Sequence, residues 1–371
     1  MLEFSALQEN LALRLAMVGR AVSSKPIMPI TTAVLLTQDN GRLKLSCTDL
    51  DIAITAWSGA SFSMMSSGAV AVPWATFTGI VSKLPPTTVS IREDGGKLHI
   101  STPNGFKAEV STFPPDEFPQ VANTTAGVSV EVSAMALREA IEYVQRSAAA
   151  NDTRPVLTGV NVQEQGGCIQ LATADGFRLG LAEIPEAPLG WPASVVPVRA
   201  MREVGRLAAG ADRLLRVESN ETNTAVDISD DAEGWVVHAS LIQSTFPDYT
   251  RLIPQESPTV RAIVSRHILR DTVRVMRTVD THVVRIMADG GVLRMSVADE
   301  NGGTKVAQEV EAKVAGDGRI AANIRYLEDA LASLPDEPVA LEWTTPQAQM
   351  KILPAGRAYP IQVIMPMFVQ W

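Results

Sequence analysis

Three aspartates stand at nearly equal intervals along the chain: Asp49 in CTDLD, Asp175 in ATADGFR and Asp299 in VADEN, 126 and 124 residues apart. Carboxylates are the first candidates for acid–base chemistry or metal binding, but both tasks need them close together. Each of these aspartates follows an alternating, strand-like stretch at the same place in a recurring pattern. They therefore belong to separate copies of one unit, far from one another, and Asp is a common turn residue. The expectation is three turn or strand-end aspartates and no catalytic set.

Other reactive residues are equally dispersed. His99, His238, His267 and His282 form no HExxH and no Cys/His cluster, so no metal site is expected. The sequence has no GxxxxGK[ST] phosphate loop, no GxGxxG after a strand and no GxSxG elbow. Cys47 and Cys168 sit on strand-like segments and read as buried reduced thiols. No cofactor is expected, and an enzyme is poorly supported.

The elements around these residues repeat. The unit spans about 125 residues, and three copies account for the chain. Each copy contains the same half twice: a strand, an amphipathic helix, then several strands. In the first copy Leu7, Leu11, Leu15 and Val18 fall at helical spacing. TAVLLTQ and GRLKLSCTDLDIAITAW read as strands around the turn Asp39-Asn40-Gly41. The pattern restarts at GAVAVP and the helix WATFTGIVSKL, which Pro85-Pro86 stops. Ser133 is the expected N-cap of the next helix. The fold class is α+β, with domains expected at 1–122, 128–254 and 259–371.

Charge separates by element type. The formal net charge is −9, which alone argues against a nucleic-acid surface. Yet the six helical windows together carry +6, leaving −15 for everything else. Arg266, Arg270, Arg274 and Arg277 lie at i, i+4, i+8 and i+11, an arc of roughly 80° on a helix. Arg199, Arg202 and Arg206 make a second narrow stripe. One such stripe is usually a solvated face; several on repeat-related helices point to a polyanion held through its phosphates without sequence reading. No apolar run reaches the length of a membrane span, and no signal peptide is visible.

ADGFRL (174–179), FPDYTRLIP (246–254) and VIMPM (363–367), with SSKPIMPI (23–30) and VPWATFTGIVSKLP (72–85), resemble the bacterial sliding clamp family, the DNA polymerase III beta subunit. The likeness covers the whole chain. It implies a head-to-tail homodimer closing a ring of six similar domains, helices inside and sheets outside, around double-stranded DNA. Such a ring is a cytoplasmic, nucleoid-associated processivity factor. It tethers the clamp loader and DNA polymerases through short peptides and needs no membrane or cofactor.

The resemblance places the peptide pocket at Leu157, Ala174, Gly176, Phe177, Arg178, Leu179, Pro247, Arg251, Leu252, Val363, Ile364, Met365, Pro366 and Met367. Position and charge assign DNA contact to Lys25, Lys83, Arg138, Arg154, Arg199, Arg202, Arg206, Arg266, Arg270 and Arg274. Ring closure is assigned to Val275 and Met276 facing Ala108 and Val110. The chain departs from the family at Ala174, usually Thr, at Phe177, often His, and at the loop Arg154-Pro155-Val156, often aromatic. Its tail, Phe368-Val369-Gln370-Trp371, replaces the common Arg-Leu ending, which predicts a more apolar pocket within reach of the tail. The alternative is a clamp-like paralogue serving other partners.

Overall fold

The computed structural model of the chain describes residues 1–371 apart from 24, 65, 122, 123, 125, 126, 152, 186–189, 211, 212 and 300–302. Among the described residues no helix is long and apolar enough to cross a membrane. Among the described residues, six α-helices each begin directly after a strand: α1 (Gln8–Val18), α2 (Trp74–Val81), α3 (Ala134–Val144), α4 (Val198–Leu207), α5 (Arg266–Met276) and α6 (Ile324–Ala332). Their apolar residues recur at three and four positions, so each helix buries one stripe. In α1 the stripe is Leu11, Leu15 and Val18; in α6 it is Ile324, Leu327 and Leu331. The Asn323 side chain caps α6 by accepting the Arg325 amide at 2.9 Å. α3 starts immediately after Ser133, where the cap was expected.

The chain divides into two compact units, Met1–Ala134 with Arg206–Leu241, and Met135–Gly205 with Ile242–Trp371. The first holds a five-stranded sheet and an eight-stranded sheet, the second a nine-stranded and a four-stranded sheet. The two large sheets are built across repeats. In the first unit, Trp235–Ser240 pairs antiparallel with Ile52–Gly59, joining the end of the second repeat to the first half of the first. In the second unit, Arg178–Ile184 pairs with Ile361–Ile364, joining the end of the third repeat to the first half of the second. One rule describes both seams: the last strand of a second half pairs with the last strand of a first half. Two such strands remain at sheet edges, Lys107–Ser111 in the five-stranded sheet and Lys305–Val310 in the four-stranded sheet.

The repeated aspartates are turn builders. Asp49 Oδ1 accepts the amides of Asp51 and Ile52 at 3.1 and 2.9 Å. Asp175 Oδ1 accepts those of Phe177 and Arg178 at 2.9 and 3.1 Å, and Asp299 accepts those of Gly303 and Thr304 at 2.8 and 3.2 Å. Asp49 and Asp175 each split what the alternating pattern reads as one long run into two antiparallel strands, and Asp299 follows the strand Val292–Ala298, which pairs antiparallel with Lys305–Val310.

A second device also recurs three times. After the last strand of each repeat, the chain folds back and donates an amide to the restart strand: Phe113 to Ala71 O at 2.8 Å, Ile242 to Val195 O at 2.9 Å and Met367 to Ala321 O at 2.8 Å.

Both cysteines are free; Cys47 is buried, whereas Cys168 is half-buried, with Sγ donating to Gln165 O at 3.1 Å.

Candidate partner pocket and basic helix faces

Four of the residues expected in the pocket meet in one apolar cluster: Leu157, Ala174, Leu179 and Val363, together with Ala172, Leu181, Tyr249 and Ile361. The additional members follow from strand geometry. Alternate side chains share a face, so Ala172, Leu181 and Ile361 accompany Ala174, Leu179 and Val363. A short 3₁₀ turn, Pro155–Thr158, delivers Leu157. Tyr249 closes the floor: its ring meets Phe246 edge-on at 6.1 Å, and its hydroxyl donates to Gln170 Oε1 at 2.7 Å. Burial pushes that phenol up to about 12, so it stays a neutral donor. The signal for Phe246 and Tyr249 was present in FPDYTRLIP, where the two flank the expected Pro247.

The period of two also corrects one assignment. Ile364 faces the opposite way from Val363 and packs in the core of the third repeat with Leu341, Met350 and Ile352. The rim above the cluster is open. Phe177, Pro247, Arg251, Leu252 and Met365 are exposed, and Pro366 and Met367 are half-buried. Gly176 turns the chain at φ 94°, a conformation that favours glycine. The Phe177 carbonyl then accepts the Met365 amide at 2.8 Å, fixing the C-terminal motif against the turn.

Arg178 has a different role from a solvated rim residue. Its side chain is only 13% exposed and bridges Asp175 Oδ2 at 2.9 Å and Asp329 Oδ2 at 2.6 Å. Its guanidinium also lies 4.5 Å from the Tyr326 ring centre on α6. Neither Asp329 nor Tyr326 was expected at the site, because nothing local in the sequence links residue 178 to residue 329.

Trp371 does not lie over this cluster. Its ring is stacked by the Arg319 guanidinium at 4.9 Å, on the strand Gly318–Asn323.

The basic residues divide into used and available groups. Arg270 is half-buried beside other cations. Burial first, then Arg266 and Arg274, lower its pKa against the opposing pull of Asp271, with Arg146 adding to the lowering. Such a concentration of positive charge suits a phosphate backbone. Arg274 is exposed and only loosely held by Asp271, at 3.5 Å. Arg266 contradicts its assignment: Nη1 donates to the carbonyls of Leu331 and Leu334 at 3.1 and 3.0 Å, and Nη2 pairs with Asp336 at 2.9 Å. It caps the C-terminal end of α6, where a cation is favoured.

On α4, Arg202 donates to Gln145 O at 3.0 Å, and burial lowers the Arg199 pKa against the pull of Glu203. Arg206 is exposed. Arg138 pairs with Glu142 at 3.1 Å along α3. Lys25, Lys83 and Arg154 are exposed, at a loop, after α2 and before the Pro155–Thr158 turn.

Of the residues assigned to ring closure, Val275 is 55% exposed and Ala108 half-buried. Met276 and Val110 are corrections. Met276 is fully buried among Leu269, Val273 and Leu327, and Val110 is buried on the inner face of its sheet. Both are occupied by their own cores.

Doubled strand–helix–strand halves, repeated in tandem with basic helices and an apolar pocket at a seam, define a clamp-type protein. Family models for the N-terminal, central and C-terminal domains of the DNA polymerase III beta subunit match residues 2–122, 131–248 and 250–368. The chain therefore belongs to the bacterial DNA polymerase III beta subunit family. The beta sliding clamp of Synechococcus elongatus is 25% identical over 378 residues, covering 97% of both chains. That of Streptomyces coelicolor is 27% identical over 347 residues, covering 91% of this chain and 90% of its own. The crystal structure of the Thermotoga maritima beta subunit, 23% identical, superposes with a TM-score of 0.90 over 99% of this chain and 100% of that one.

Proposed function

We propose that this chain is a DNA sliding clamp that closes, as a head-to-tail homodimer, into a ring around duplex DNA. It is a non-catalytic processivity factor. The observation that carries the ring is the seam rule. Two seams are made within the chain, and the two strands left at edges, Lys107–Ser111 and Lys305–Val310, are the pair the rule requires next. Pairing the first edge of one copy with the second edge of another closes the series and leaves neither of these two strands unpaired. α5 packs against Lys305–Val310, which puts exposed Val275 near the joint.

On this reading the three domains are 1–122, 128–254 and 259–371, and the protein works in the cytoplasm on the nucleoid. Lys25, Lys83, Arg154, Arg199, Arg206, Arg270 and Arg274 face the DNA, whereas Arg266 serves the fold. The clamp loader and polymerases dock short peptides over the Leu157–Leu179–Val363 cluster, gripped by the rim of Phe177, Leu252 and Met365. A mostly apolar concavity with adaptable Met side chains suits several peptides. The beta sliding clamp names of its relatives over nearly their full length do not favour a specialised paralogue.

Sedimentation at micromolar concentration should give twice the 39.8 kDa chain mass, and loaded protein should stay on circular DNA but leave linear DNA. A monomer with no topological retention would refute the ring. Arg270→Ala with Arg274→Ala should lower the slope of log affinity against log salt by about 2, roughly 0.9 for each lost phosphate contact. An unchanged slope would remove these residues from the DNA surface.

A further inference from the structure

Two markers recur in all three repeats and flank the strands that meet at a seam. The first is the turn aspartate, whose amide donates across its turn: Asp49 to Ile52 O at 3.2 Å, Asp175 to Arg178 O at 3.3 Å and Asp299 to Thr304 O at 3.0 Å. Thr304 is therefore the equivalent of Ile52 and Arg178, and Lys305 that of Ala53 and Leu179. Strand pairing agrees. Lys305, Ala53 and Leu179 stand opposite Ala298, Thr48 and Ala174, each directly before its aspartate. The second marker is the fold-back amide of Phe113, Ile242 or Met367. The residues four positions before these, Glu109, His238 and Val363, are then equivalent.

Both seams within the chain obey this alignment. His238 pairs with Ala53, and Val363 with Leu179. One further bond closes each seam at matching positions: the Ser240 amide to Asp51 O at 2.9 Å, and the Met365 amide to Phe177 O at 2.8 Å. Carried to the two free edges, the same alignment sets Glu109 opposite Lys305 of a second copy. Ala108 then meets Val306, Val110 meets Thr304, and the Ser111 amide reaches the Gly303 carbonyl.

The side chains at this position differ from seam to seam. Leu179 and Val363 are apolar and belong to the peptide pocket. Ala53 faces His238, whose Nδ1 lies 2.6 Å from Asp227 Oδ1 on the next strand. The free edges carry a carboxylate and an ammonium. Glu109 is exposed and meets Lys97 at 2.9 Å and His99 at 3.5 Å. Lys305 is exposed and has no ion pair among the described residues. Opposite charges directly across an antiparallel pair attract, and like charges repel. Charge alone leaves one competitor. Sliding the joint by two residues sets Lys107 opposite Glu309, which Arg294 already holds at 2.9 Å. The repeat alignment selects the first register.

We propose, resting on the ring reading above, that two copies join in this register and that Glu109 of each forms an ion pair with Lys305 of the other. The pair fixes the register and makes the edge select a second copy of this chain. It also keeps the joint from becoming another peptide pocket, because the position held by Leu179 and Val363 in that pocket is charged here.

A charge exchange tests the pair. Glu109→Lys and Lys305→Glu should each weaken the dimer about thirtyfold, the effect of ~2 kcal/mol, because like charges then meet at both joints. Mixed in equal amounts, the two variants should pair with each other at the parent's affinity. One joint then keeps the original pair and the other holds it reversed. Equilibrium sedimentation gives the affinities, and native mass spectrometry with one variant mass-tagged gives the pairing. Both side chains are exposed, so circular dichroism should show both variants folded. Lys107→Glu mixed with Glu309→Lys should show no such selection. A parent that sediments as a monomer refutes the ring, and this joint with it. A parent dimer whose Glu109→Lys and Lys305→Glu variants associate unchanged, or mix at random, overturns the register alone. Selective pairing of Lys107→Glu with Glu309→Lys would overturn it too, in favour of the two-residue slip.

Discussion

Val275→Asp should convert the proposed homodimer into folded monomers and abolish retention on circular DNA. The residue is more than half exposed within its own chain, so an added carboxylate costs the monomer little, within about 0.5 kcal/mol. At the joint the same carboxylate is forced against the partner's strand Lys107–Ser111, where Ala108 is its expected neighbour. Burying one unpaired charge in an interface costs about 2 kcal/mol or more. A closed two-membered ring contains the joint twice, so each substitution is felt twice. The dissociation constant should rise by about a thousandfold, the effect of ~4 kcal/mol. The neighbouring Met276→Asp separates interface from core: that side chain is fully buried, so its variant should unfold the third domain rather than yield a native monomer. Equilibrium sedimentation with circular dichroism distinguishes the two. A Val275→Asp protein that sediments as a dimer would place the joint elsewhere.

Much of this architecture is legible in the sequence because its elements are amphipathic. The stripes of α1, α5 and α6 and the alternation of strands such as Gly159–Gln165 stand out at periods of 3.6 and 2. Lys305–Val310 escaped because KVAQEV is exposed on almost every residue and shows no alternation. Only Val306 and Val310 of this edge strand turn to the core, too few to announce it. The same limit explains Arg266. The arginine stripe of α5 is visible as an arc, but the arc does not say that its first member turns onto the carbonyl end of α6. Val363 and Ile364 show the reverse case. A family motif names consecutive residues together, while strand geometry sends one to the pocket and the other to the core. Asp329 and Tyr326 lie about 150 residues from Arg178, and only the folded chain brings them together.

That network leads to the second large effect. Arg178→Ala should destabilise the pocket by about 3 kcal/mol and weaken partner-peptide binding with it. Removing the guanidinium leaves Asp175, only 12% exposed, without its cation and frees Asp329 on α6. Asp175 holds the turn whose Phe177 carbonyl anchors Met365, so loss of the cation reaches the rim through two hydrogen bonds. Lysine cannot replace the fork, because one ammonium does not span two carboxylates and stack on Tyr326 at once; Arg178→Lys should fall between the parent and Ala. Adding Asp329→Asn to Arg178→Ala should recover part of the loss by removing one orphaned charge. Asp329→Asn alone should weaken peptide binding less than Arg178→Ala does, since Asp175 still holds the arginine. Thermal melts and peptide titrations on the four variants test the scheme. If Arg178→Ala melts with the parent, or if the double variant recovers nothing, the arginine is a surface residue and the pocket is framed by its apolar cluster alone.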